Sequence, residues 1–136
     1  MDAQEPSVRR EHSWHEDLPE DCPPADARLP EGEAYYRAVR TYPPHEGDFV
    51  SQRALQPTRQ FQVSECTARA VSLFLEAAIC FTLLKLPLYT GGRVVRLELP
   101  KDAGVVKVTR PTKGHVSWWR RAGFDPIPLA TGVEEN

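Results

Sequence analysis

The chain lacks every short motif that assigns a chemistry on its own. It contains no P-loop, no GxGxxG, no HExxH, no CxxC and no GxSxG. Gly91-Gly92 is a turn, not a phosphate cradle. Cysteine is scarce: Cys22, Cys66 and Cys80 form no close pair and have no metal-ligand spacing. No metal site and no disulfide framework are therefore expected, and Cys66 and Cys80 read as buried free thiols. No internal repeat is visible. Long apolar runs are missing too. Residues 64–86 are the most apolar stretch, but Arg69, Glu76 and Lys85 interrupt it. A span needs about 20 mostly apolar residues, so a buried helix is expected instead and no membrane is expected. Residues 1–33 hold no apolar h-region of about 7–15 residues, and the expected location is cytoplasmic.

What is present is uneven. The 136 residues suit one ordinary domain, yet 13 are proline and only 40% are apolar. Residues 1–33 carry ten acidic and three basic side chains, a net of -7. Residues 34–136 carry nine acidic and fourteen basic, a net of +5. Such a blockwise split reads as an acidic arm on a mildly basic domain. Residues 1–30 are accordingly expected to be a disordered or loosely attached arm, broken by five prolines. Trp14, flanked by His12 and His15, is its one large apolar residue. It would anchor the arm on the domain or on a partner.

Residues 31–136 read as a single α+β domain, with a mainly antiparallel sheet and one long buried helix. Residues 34–41 form a first strand, with Tyr35, Arg37 and Val39 on one face and Tyr36, Ala38 and Arg40 on the other. Phe49 is expected in the core. Ser64 can cap the helix of residues 64–86, and Leu73, Ala77, Cys80, Phe81 and Leu84 then share a face. A rival reading makes residues 71–74 extended and starts the helix at Leu75; periodicity does not separate the two. Residues 93–99 are a strand with Val95, Leu97 and Leu99 inward. Residues 105–109 and 115–119 follow as strands, the latter with His115, Ser117 and Trp119 on one face. Ile127 and Leu129 are expected to pack near the end.

Five short stretches stand in a suggestive order: YYR on the first strand, DF-x-S, a Ser-Leu-Phe segment, RLELP and H-x-S-x-W. Together they resemble a group of small bacterial proteins that look distantly like the ADP-ribosyltransferase and RNA 2′-phosphotransferase fold. The resemblance covers about residues 34–120. It implies a strand-one Arg or His, a mid-chain Ser or Tyr and a late Glu that handle nicotinamide dinucleotide. Arg37 matches the first role and Ser72 the second. The late acid has no counterpart, since Arg120-Arg121 follow Trp119. The implied function is an ADP-ribosyltransferase-like domain that binds a nucleotide or dinucleotide, with or without catalysis. NAD would be a substrate, and no cofactor is required.

In that reading Arg37 would hold a diphosphate or ribose through charge-assisted bonds. His115 and Ser72 would be the catalytic pair, His115 because it titrates near neutrality. Tyr36 or Trp119 would stack on a base. Each has a plainer alternative: Arg37 as a solvent-facing strand residue, His115 as a satisfied structural histidine, the tryptophans as core. Two other function classes stay open. One is a protein-interaction subunit, antitoxin-like or immunity-like, carried by Trp14. The other is a weak binder of single-stranded nucleic acid. It would use Arg93, Arg96, Lys107, Arg110, Lys113, Arg120 and Arg121, with Trp118 and Trp119 between them.

Overall fold

The alternating strand at residues 34–39 becomes the middle of the sheet. The structure is a computed structural model and describes residues 13–135. Its strands are β1 (Ala34–Val39), β2 (Val71–Phe74), β3 (Arg93–Glu98), β4 (Gly104–Arg110), β5 (His115–Arg120) and β6 (Thr131–Val133). They form one six-stranded sheet in the order β4-β5-β2-β1-β3-β6, and every pairing is antiparallel. The helices are short: α1 (Gln52–Leu55), α2 (Glu65–Ala68) and α3 (Ala77–Leu83). The class is α+β, as the sequence indicates. Among the described residues no helix is long and apolar enough to cross a membrane.

Two-residue alternation sorts the side chains to two faces. One face carries the main core: Tyr35, Val39, Leu73, Val95, Leu97 and Trp118, with Phe49 beneath them. Phe124 and Ile127 pack against that cluster, whereas Leu129 is exposed. The other face buries Ala38 and Val94 under Cys80 of α3, flanked by Tyr36, Phe74 and Phe81. Burial pushes the Cys80 thiol up to about 12, so it is an inert core group, as expected.

Residues 64–86 are not one long helix. Ser64 caps α2, its hydroxyl accepting from the Thr67 amide at 3.2 Å, but α2 ends after one turn. The chain then extends as β2, and α3 begins only at Ala77. The rival reading is the nearer one. Val71 and Leu73 satisfy the core by alternation, and β2 gains sheet partners on both sides, β1 and β5. That pairing outweighs the helical stripe. Phe81 is consequently only half buried.

Residues 13–30 also depart from expectation, because they lie against the domain. Trp14 bridges Arg121 and Arg28 bridges Val106 at the open edge of β4. The Glu16 carboxylate accepts from the Ser51 amide at 2.8 Å and from the Ser51 hydroxyl. A disulfide joins Cys22 to Cys66 across 44 positions, with a Cα–Cα distance of 5.6 Å. For residues 1–12 the expectation of a disordered arm lies outside the described residues. Among the charges that look like solvated arm in composition, Glu16 meets Ser51, Asp26 meets Lys107 and Arg28 meets Glu33, and a covalent bond adds to them.

Candidate functional site

The polar residues that the sequence singles out fall on three neighbouring strands, β1, β2 and β5. On β2, Ser72 sits opposite Ser117 and Phe74 opposite His115. Residues directly opposite share a face, so Ser72, His115 and Ser117 point the same way. His115 Nε2 lies 3.0 Å from Ser72 Oγ. The ladder between β4 and β5 then slips, with Val108 opposite Val116 but Arg110 opposite His115. The irregularity falls at Thr109, which alternates with Lys107, opposite Ser117, and so lies on the His115 face. Its hydroxyl lies 2.7 Å from His115 Nδ1 and 3.0 Å from Ser117 Oγ.

Four side chains therefore form one chain of contacts: Ser72, His115, Thr109, Ser117. The Phe74 ring meets the imidazole edge-on at 5.3 Å. Burial lowers the His115 pKa, and the Arg110 charge lowers it further. The imidazole is accordingly neutral at pH 7, with one nitrogen donating and the other accepting. Such a group can take a proton from a hydroxyl or position one. Among the described residues no carboxylate hydrogen-bonds to these four side chains, so an imidazolium formed there gains no counter-ion from them. The expected Ser72–His115 pair is brought together; Thr109 completes it and was not foreseen. The sequence signal for Thr109 is alternation: with Val106 and Val108 inward, Lys107 and Thr109 face the other way.

Arg37 behaves differently from both readings of the sequence. Strands β1 and β2 pair at a single register, Tyr36 with Phe74. Beyond it the Arg37 guanidinium fills the gap. It donates to the carbonyls of Ser72 at 2.7 Å, Asp48 at 2.8 Å and Val50 at 3.2 Å. The residue is 8% exposed, and burial lowers its pKa. It is neither a solvent-facing residue nor open to a diphosphate. Its donors are spent on backbone, and it reaches the Ser72–His115 pair only through the Ser72 carbonyl.

The aromatic candidates are also enclosed. Trp119 is 1% exposed, and its indole N–H donates to the Cys66 carbonyl at 2.9 Å. Its ring offers no face for a base, which corrects the stacking expectation. Trp118 is buried as well, donating to the Ala103 carbonyl at 3.0 Å. Tyr36 is half buried beside Phe74 and α3, on the same face as Ser72.

The basic side chains do not make a continuous patch. Arg120 is buried and donates to the carbonyls of Phe49 and Phe124 and to Glu46. Arg96 pairs with Glu98 at 2.7 Å, and Lys107 with Asp26 at 3.1 Å. Arg93 lies over the Tyr42 ring. Trp14 is engaged by its own domain, where it bridges Arg121 and lines a cavity of about 260 Å³ under residues 13–29. Among the described residues no cluster of His, Cys, Asp and Glu is suited to a metal. No family model, no curated protein and no solved structure matches the chain.

Proposed function

We propose that this is an ADP-ribosyltransferase-like domain that binds a nucleotide or dinucleotide without transferring it. The observation that carries the reading is the 3.0 Å contact between His115 Nε2 and Ser72 Oγ, completed by Thr109. Ser72 is the residue that the resemblance places in its second role, His115 is the one singled out for its near-neutral titration, and they meet although 43 positions apart. A neutral imidazole between two hydroxyls suits the hydroxyls of a ribose, exchanging one hydroxyl partner for another. The missing acid favours binding over transfer, because nothing in the network would stabilise a developing positive charge. NAD is the first ligand to try, and the protein needs no cofactor in this reading. The alternatives lose support: the interaction reading rested on Trp14, which its own domain engages, and the nucleic-acid reading on seven basic residues of which Arg93, Arg96, Lys107 and Arg120 are paired with acids. A cytoplasmic location must accommodate the Cys22–Cys66 bond, which persists best in an oxidising compartment.

Titration calorimetry with NAD tests the reading. The wild type should bind, and Ser72→Ala and His115→Ala should each weaken binding by about 2- to 12-fold, the effect of one lost hydrogen bond. Absence of binding by the folded wild type sinks the nucleotide reading.

A further inference from the structure

A cavity of about 260 Å³ lies at the open edge of β4, between that strand and the segment carrying the disulfide. It is separate from the Ser72–His115 network. Val105 lines the cavity, and Thr109 belongs to the network; four residues of strand put about 13 Å between them.

The walls have a definite chemistry. Trp14, Pro23, Pro24, Leu29 and Val105 give the cavity its apolar lining. Two cationic residues, Lys101 and Arg121, line the same space, and so does Asp21. Neither cation has an acidic partner within salt-bridge distance among the described residues. Elsewhere among the described residues Arg28, Arg53, Arg69, Arg93, Arg96, Lys107 and Arg120 have acidic partners. Cys22 also lines the cavity, so the Cys22–Cys66 bond holds that wall in place.

We propose that this cavity is a small-molecule site for a flat aromatic anion of one or two rings. The ring lies on the Trp14 and proline surface. The anion meets Arg121 and Lys101, and Asp21 accepts from a hydroxyl or amino group on the ligand where one is present. An aromatic carboxylate and a nucleoside monophosphate share this chemistry, and the volume suits either.

Calorimetry on the intact, oxidised chain tests the assignment with three probes: 2-naphthoate, 2-naphthylmethanol and adenosine 5′-monophosphate. The expected result is saturable one-to-one binding of at least one of the two anions. The uncharged alcohol should bind at least about 10-fold more weakly than the naphthoate, because it forgoes a charge-assisted contact. Arg121→Gln should weaken the anion by about 10-fold on the same grounds, and Trp14→Ala should weaken it further. Dithiothreitol, or Cys22→Ser, should weaken binding by loosening the wall. Ser72→Ala should leave binding of the naphthoate, which has no ribose, unchanged, which separates this site from the one proposed above. Failure of both anions to saturate, equal binding of the alcohol, or unchanged affinity in Arg121→Gln would each overturn the assignment. Should the monophosphate bind and the naphthoate not, the ligand class narrows to nucleotides.

Discussion

Breaking the bond between Cys22 and Cys66 is the most informative perturbation of stability. The bond joins residues 44 positions apart, tying the segment before β1 to α2. In the chain-entropy account, closing a loop of that length removes about 13 cal/mol/K from the unfolded ensemble, or about 4 kcal/mol at 25 °C. The folded state should survive the loss. Arg28 keeps both backbone bonds to Val106, at 2.9 and 2.8 Å, and the Glu16 carboxylate keeps Ser51. The effect is therefore a less stable native state, read by urea unfolding of the oxidised wild type, the reduced wild type, Cys22→Ser and Cys66→Ser. With a slope of about 2 kcal/mol/M, the midpoint should fall by about 2 M in all three weakened forms. Thiol titration of the denatured, unreduced protein should find one thiol, Cys80. Three titratable thiols, or a midpoint unmoved by reduction, would refute the reasoning.

The other predictions concern the core and the pH response. Arg37→Ala should cost about 3 kcal/mol or more in urea unfolding, since three backbone carbonyls lose a charged donor at once; Arg37→Lys should recover little of it. A cost under about 1 kcal/mol would put that guanidinium in solvent. Leu73→Ala, fully buried, should cost about 2–5 kcal/mol, and half-buried Phe81→Ala less than the 3–5 kcal/mol typical of a buried Phe. Glu33 is opposed by burial, but bonds from Tyr35, the amides of Glu31 and Glu33, and Arg28 outweigh it and hold its pKa at about 2. Its depressed pKa contributes stability above its ordinary 4.5 that is lost as pH falls toward about 2, and Glu33→Gln should flatten that limb of a stability–pH curve. The His115 pKa is also lowered, first by burial and then by Arg110, so the unfolded chain binds the extra proton. Stability should be fully present above the ordinary 6.5 and fall as pH drops below it; His115→Asn should remove part of that slope.

Legibility in the sequence followed the range of the interactions. Strand β3 was readable because Val95, Leu97 and Leu99 alternate with charged residues, and local alternation is all that a half-buried strand needs. The segment at residues 64–86 was not, because Leu73, Ala77 and Cys80 fit a helical stripe and a strand-then-helix equally well. Only the pairing of β2 with two distant strands decides between them. The meeting of Ser72 and His115 was anticipated by residue type and order. Thr109 stands on that face by alternation with Lys107, but its meeting with His115 and Ser117 depends on the register between β4 and β5, which residue type alone does not fix. The roles of Arg37 and Trp119 were hidden for one shared reason. Their partners are backbone carbonyls at positions 48, 50, 66 and 72, and a carbonyl leaves no mark on residue type.

Ser72 is held from both sides in ways that constrain any ligand. Its carbonyl takes the buried Arg37 cation, and its hydroxyl meets the neutral His115 imidazole. Displacing Arg37 toward a phosphate would strip three buried carbonyls of their donor, each a cost of about 1–3 kcal/mol. Displacing the Ser72 hydroxyl from His115 costs far less, because an incoming hydroxyl restores the same bond to the half-exposed imidazole. A nucleotide bound at β2 and β5 must therefore be gripped through hydroxyls, with its phosphates left to other donors. That inverts the division of labour implied by the resemblance, in which the strand-one Arg takes the charged group. It also gives the binding experiment a second reading: affinity carried by the ribose should change little with salt, whereas affinity carried by phosphate on a cation falls steeply.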